Sequence, residues 1–185
     1  MKNLGHRLGA SGTIHENTIE GLLESLDLVS DRRFKYWEFD VRESSDGVLF
    51  AFHDDCIKIN GKMIETRYLS YDEIYRTGES MMISIPTFQQ IMEVLKDREE
   101  RVMIEIKNVH SDAAREALLL SVSGNEDWIL MATPERFLES FPSETRNLWN
   151  ERARTLGVKL VRVGRHRVDL FKASRYPIRW YFAKP

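Results

Sequence analysis

Residues 36–55 set the tightest limits on what this chain can fold into. Tyr36, Glu38 and Asp40 alternate with Trp37, Phe39 and Val41. Successive side chains of a strand point to opposite faces, so both carboxylates fall on one face, one pleat apart. Two ionised carboxylates at that spacing repel each other and lose hydration on burial, which makes a bound cation or a basic partner the natural counterweight. Among cations, an oxygen-preferring divalent metal fits the donors best. Asp46 and Gly47 make a turn, after which Val48, Phe50 and Phe52 alternate with Leu49, Ala51 and His53. His53 therefore closes a second strand at its carboxyl end, near Glu38 and Asp40. Taken singly, His53 reads as a hydrogen-bonded histidine and the carboxylates as solvated edge positions. Trp37, Phe39, Val41, Phe50 and Phe52 argue instead that the strands are buried and the polar groups clustered.

The rest of the chain alternates strands and helices around this pair. Residues 3–8 read as a first strand that delivers His6 and Arg7, with Gly9 and Gly12 bracketing the loop behind it. Asn17 to Glu20 has the form of a capping box, and Ile19, Leu22, Leu23, Leu26 and Val29 continue it as an amphipathic helix. Residues 54–85 read as a mostly irregular insertion over the strand ends, with a turn at Asn60 and Gly61 and a short helix from Ser70 to about residue 75. Thr87 and Gln90 open the next helix, whose Phe88, Ile91, Met92 and Leu95 face the core.

In the following strand Val102, Ile104 and Ile106 share one face, leaving Met103, Glu105 and Lys107 on the other. A third carboxylate thus appears inside a strand flanked by helices, the setting of a buried parallel strand rather than of a paired edge strand. A helix over 112–120, a strand over 128–133, a helical region to Leu156 broken at Pro142, and strands over 158–163 and 178–182 complete the pattern. Seven strands alternating with helices predict an α/β fold with a TIM-barrel-like parallel barrel, shortened or incomplete in its second half, since such barrels use about 250 residues and eight strands. The crevice of an open sheet is the other arrangement that gathers polar groups at strand ends.

Composition narrows the partners. A chain of 185 residues with 42% hydrophobic content is expected to form one domain, 1–185. Its 27 basic and 29 acidic residues are well mixed, so no nucleic acid or anionic membrane surface is implied. Cys56 is the only cysteine, which excludes an internal disulfide and a cysteine-rich zinc site. Glu16, Asn17 and Glu20 fall where a signal peptide would need apolar residues, and no run approaches a membrane span, so a cytoplasmic protein without stable membrane anchoring is expected. Glycine-rich nucleotide motifs are missing after every strand. Arg165, His166 and Arg167 form a basic knot more typical of a solvated loop than of a site.

His6 and Arg7, Glu16 to Thr18, Glu38 to Val41, Asp46 and Gly47, His53 and Asp54, Ile85 to Thr87, and Ile104 to Lys107 stand in the order and spacing of a known family. Together they resemble the glycerophosphodiester phosphodiesterases, within the wider class of barrels shared with phosphatidylinositol-specific phospholipases C. The resemblance covers the first 110 residues well. It implies hydrolysis of a small-molecule glycerophosphodiester to glycerol phosphate and an alcohol. It also implies one divalent cation, Ca²⁺ or Mg²⁺, on Glu38, Asp40 and Glu105. By the same resemblance His6 and His53 act as general base and general acid, Arg7 and Lys107 hold the phosphate, and Trp180 lines the substrate pocket. Histidine suits proton transfer because its ordinary pKa, about 6.5, lies near working pH.

Some positions depart from the family pattern. Leu8 stands where a glycine usually follows the His-Arg pair, with Gly9 as its replacement through a one-residue shift, and His15 stands for a proline. Met81, Met82, Ile83 and Ile85 could form an apolar entrance of the kind a lysophospholipase D-like enzyme needs, although a core role is the simpler account. A catalytically inactive barrel that binds a phosphodiester or a metal is the alternative from a different class. A glycosidase using Glu38 and Glu105 is disfavoured, because two histidines with Arg7 and Lys107 point to an anionic substrate. An open sheet edge invites pairing, which leaves a homodimer open.

Overall fold

Strand β1 (Trp37–Glu43) lies inside the molecule, with all seven residues buried. On its left runs β2 (Leu49–Ala51), antiparallel, and on its right β5 (Val102–Asn108), parallel. The sheet continues through β6 (Trp128–Ala132), β7 (Lys159–Val163) and β8 (Phe182–Ala183) in the order β2-β1-β5-β6-β7-β8. Strands β1, β5, β6 and β7 are parallel, and an antiparallel strand borders them on each side. The structure is a computed structural model describing residues 3–163 and 182–183. Among these residues the six strands form an open sheet, an incomplete barrel of α/β type.

The two faces of the sheet differ in chemistry. Trp37, Phe39 and Val41 of β1 join Val102, Ile104 and Ile106 of β5 and Leu130 of β6 in one core with the surrounding helices. Each such buried side chain is worth about 1.5–3 kcal/mol. Helix α3 (Phe88–Leu95) packs there through Phe88, Ile91, Met92 and Leu95, and its Thr87–Gln90 capping box closes both ways. Helices α4 (Asp112–Val122), α5 (Pro134–Ser140) and α6 (Arg146–Thr155) cover the same face. The opposite face holds a small apolar floor of Tyr36, Met103, Met131 and Val163, and above it the acidic residues.

Several local expectations are corrected. Residues 3–8 form turns rather than a strand. They touch β1 through only two backbone bonds, Glu38 N–H to Gly5 O (2.9 Å) and Leu8 N–H to Glu38 O (2.8 Å). The cause is a left-handed pair, Arg7 at φ 51° and Leu8 at φ 58°, which bends the chain away from the extended course. Leu8 is fully buried and left-handed, and Gly9 after it is left-handed as well, at φ 84°. Helix α1 (Ile19–Glu24) is short and gives way to a 3₁₀ turn, Leu26–Ser30, leaving Leu23 and Val29 exposed. Its cap is Thr18, whose hydroxyl accepts from Gly21 N–H, and Asn17 is used elsewhere.

Residues 54–85 are more regular than expected. They hold a hairpin of β3 (Cys56–Ile59) and β4 (Lys62–Glu65) around Asn60 and Gly61, both left-handed as a tight two-residue turn requires. Helix α2 (Tyr71–Ser80) follows, closed by a Ser70–Glu73 capping box and five residues longer than expected. Its Ile74 packs with Phe50, Ile57, Leu69 and Ile85 in a separate apolar cluster. Strand β2 ends at Ala51, two residues before His53. No helix among the described residues is long and apolar enough to cross a membrane.

Candidate active site

Parallel pairing of β1 and β5 brings the acids together. Asp40 lies directly opposite Glu105, and Glu38 opposite Met103. Glu38, Asp40 and Glu105 each offer an oxygen within 4.8 Å of the others, and all three are buried. Lys107, two residues beyond Glu105 on the same face, reaches back with its Nζ 2.6 Å from Glu105 Oε1 and 3.1 Å from Asp40 Oδ1. The lysine bridges two of the three acids.

The turns before α1 supply the other wall. Arg7 N–H donates to Glu38 Oε2 at 2.9 Å, and its Nε lies 3.7 Å from Asp40 Oδ2. The Arg7 guanidinium is in turn held by both oxygens of Glu16, at 2.7 and 2.8 Å. Burial pulls this guanidinium's pKa down, but the Glu16 hydrogen bond and the charges of Asp40, Glu16 and Glu38 outweigh it, and the net direction is upward. His6 places Nε2 3.5 Å from Glu38 Oε2 and Nδ1 2.9 Å from Ser11 Oγ. At the floor, burial and then the charges of Glu38 and Glu105 raise the Tyr36 pKa, so its phenol stays protonated.

Asn17 completes the acidic cluster in a way its sequence position does not disclose. Its Nδ2 donates to Asp40 Oδ2 at 2.9 Å, and its Oδ1 accepts from Asp40 N–H at 3.1 Å. This pair of hydrogen bonds fixes Asp40 by its backbone and its carboxylate, and the left-handed backbone of Asn17 (φ 61°) permits it. Gly5 is required for a different reason. A Cβ there would sit 2.1 Å from Tyr36 O, so only glycine lets the His6 segment lie on β1.

His53 lies in the link between β2 and β3. Phe52 N–H donates to Asp40 O at 3.2 Å, which returns the chain to the level of the acids. The His53 Nδ1 lies 2.7 Å from Asp54 Oδ1. His53 shares a cavity of about 280 Å³ with Glu16, Asn17, Phe52, Met63 and Met81. The structure thus gathers His6, Arg7, Glu38, Asp40, Glu105 and Lys107, with His53 on the wall of the adjoining cleft. Trp180 and the basic knot at 165–167 lie outside the described residues.

Counted as ionised, Glu16, Glu38, Asp40 and Glu105 face two basic groups, Arg7 and Lys107. Two negative charges are left over, the deficit that a divalent cation neutralises. Three converging carboxylates are also hard oxygen donors, the ligand type of Ca²⁺ and Mg²⁺. The residues present therefore fit such an ion.

Over residues 6–170 the sequence matches the profile of the glycerophosphoryl diester phosphodiesterase family. The chain belongs to that family. Glycerophosphoryl diester phosphodiesterases are phosphoric diester hydrolases of TIM-barrel-like fold. A glycerophosphodiester phosphodiesterase of Thermotoga maritima superimposes with a TM-score of 0.55 at 19% identity, over 85% of this chain and 61% of that one. One from Parabacteroides distasonis gives 0.52 at 18% identity, over 85% and 81%. At these identities the likeness is one of fold. No curated protein matches the sequence. Asn17 was visible within the family's Glu-Asn-Thr run, but its task was not, because it depends on a contact with β1 that is 23 residues away.

Proposed function

We propose that this chain hydrolyses glycerophosphodiesters to glycerol phosphate and an alcohol, using one divalent cation, Ca²⁺ or Mg²⁺, and two histidines. The observation that carries this reading is the buried Glu38, Asp40 and Glu105 cluster flanked by His6, Arg7 and Lys107. Glu38, Asp40 and Glu105 would hold the ion, which when bound offsets phosphate charge and polarises a phosphoryl oxygen. Arg7 and Lys107 supply donors for the remaining phosphate oxygens, a planar fork and a point charge. His6, set by Ser11, takes the proton of the substrate's neighbouring glycerol hydroxyl as that oxygen bonds to phosphorus. His53, set by Asp54, gives a proton to the alcohol oxygen as its bond to phosphorus breaks, and water then opens the cyclic phosphate to glycerol phosphate. Each transfer contributes about 10²- to 10⁴-fold.

In this reading the chain forms one barrel domain, and residues 54–85 are an insertion that walls the substrate cleft, since Ile57, Lys58 and Met63 line the cavity with His53. Placement in cytoplasmic lipid metabolism is part of this proposal. The test is hydrolysis of glycerophosphocholine with and without added Ca²⁺ or Mg²⁺, on wild type, Glu38→Gln and His53→Ala. Cation-dependent turnover lost in both variants is expected. Cation binding with no turnover on any glycerophosphodiester would refute catalysis in favour of a binding barrel, and full activity of His53→Ala would remove His53 from the mechanism.

A further inference from the structure

Arg42 carries more than its place in a strand explains. It follows Glu38 and Asp40 on the inner face of β1 and is only 3% exposed, yet it is a permanent cation. Its guanidinium grips the segment that presents His53. Nε donates to Phe52 O at 3.1 Å, Nη2 donates to His53 O at 2.6 Å, and Nη1 lies 2.9 Å from Asp55 Oδ1. Because β2 ends at Ala51, no strand partner takes the carbonyls of Phe52 and His53. The planar fork of an arginine spans two successive carbonyls and a carboxylate at once, which a lysine's single point charge does not. Asp55 is also anchored by Arg136 of α5, whose Nη2 donates to both its carboxylate oxygens at 2.8 and 2.7 Å.

We propose that Arg42 is a positioning residue for His53. It clamps the backbone on either side of the histidine to the strand that carries Glu38 and Asp40, and so fixes the ring's distance from the acids. The role in turnover rests on the function proposed above, whereas the positioning itself is observable without it. A proton donor displaced by about 1 Å loses on the order of 10²-fold in rate. Arg42 shares none of the Glu38, Asp40 and Glu105 oxygens, so cation binding should survive its loss.

The test uses the full chain and two variants, Arg42→Lys and Arg42→Ala. Turnover of glycerophosphocholine is expected to fall about 10- to 100-fold in kcat, with the Ca²⁺ dissociation constant within about threefold of wild type. Free guanidinium at low millimolar concentration should restore part of the Arg42→Ala rate, because Arg42 already lines a cavity of about 350 Å³ through which it can enter. Methylammonium should not. Independently of activity, the His53 ring resonance should broaden or split in Arg42→Lys, while that of His6 stays as in wild type. Wild-type kcat in Arg42→Lys with an unchanged His53 resonance would overturn the proposal. Equal loss of cation binding, fold and both histidine signals would overturn it too, by making Arg42 a general structural residue. An inactive wild type whose His53 resonance still responds to Arg42→Lys would refute the proposed reaction and leave the positioning standing.

Discussion

Replacing Gly5 by alanine adds one methyl group and should disable the site. The new Cβ would lie 2.1 Å from Tyr36 O, 2.8 Å from Phe34 Cε2 and 2.9 Å from the Tyr36 carbonyl carbon. Two of these neighbours are backbone of the chain entering β1 and cannot swing aside as a side chain can. Relief requires a shift of about 1 Å, since non-bonded carbon contacts relax near 3.5 Å. That shift stretches the Glu38 N–H to Gly5 O and Leu8 N–H to Glu38 O bonds, together with the Asn3 contacts to Tyr36 O and Gly5 N–H. Overpacking costs about 1–3 kcal/mol, and weakening these hydrogen bonds adds about 1 kcal/mol or more. A loss of about 2–4 kcal/mol lowers Tm by roughly 5–15 °C for a chain of this size. His6 and Arg7 move with the segment, so turnover should drop on the order of 10²-fold while cation binding falls less. Thermal melting followed by circular dichroism, with hydrolysis on the same samples, measures both. A Gly5→Ala protein that melts and turns over like wild type would refute the claim that close approach at Gly5 builds the site.

Other perturbations separate the roles of neighbouring groups. Asn17→Gly keeps the left-handed backbone but removes both bonds to Asp40, and should weaken cation binding about 10- to 100-fold by calorimetry while costing about 1–3 kcal/mol of stability through the buried Asp40 groups left unpaired. Lys107→Met strips the bridge between Asp40 and Glu105 and should destabilise the metal-free protein by about 3–5 kcal/mol. Added Ca²⁺ should then raise its Tm more than that of wild type; an equal rise in both would show that the bridge does not balance the acids. Although burial raises the Asp55 pKa, hydrogen bonds and charge from Arg136 and Arg42 pull it below the ordinary carboxylate value. Its stabilisation is therefore full above about pH 4 and fades as pH falls through the lower folded value, so Asp55→Asn should narrow the stability gap between neutral and acid pH in chemical melts.

Sequence patterns revealed those parts of the fold that depend on neighbours along the chain. The alternation in 37–41 and 102–107 placed Glu38, Asp40, Glu105 and Lys107 on one face, and the registered pairing of β1 with β5 put them side by side. Phe88, Ile91, Met92 and Leu95 marked the buried face of α3 because a helical stripe is a local signal. The residues 3–8 misled for a physical reason: a left-handed pair at Arg7 and Leu8 carries no propensity signature when neither residue is glycine. The hairpin at 56–65 was legible in principle, since residues alternate around Asn60 and Gly61, but only Ile57 of its two strands is buried and the apolar pattern is faint. Asn17 and Arg42 escaped because each acts on a residue far along the chain, and nothing nearby constrains either.

The Lys107 bridge separates two events that are often one. In a small metal site whose acids have no other counterion, the chain cannot collapse until the ion arrives, and folding waits on supply. Here the counterion is carried two residues along the same strand, so β1 and β5 can pair and bury their acids wherever the protein is made. On the function proposed above, ion loading would then be an exchange on a finished scaffold, the cation taking over the carboxylates that Lys107 now holds. Lys107 would thereby serve as an internal chaperone for its own site.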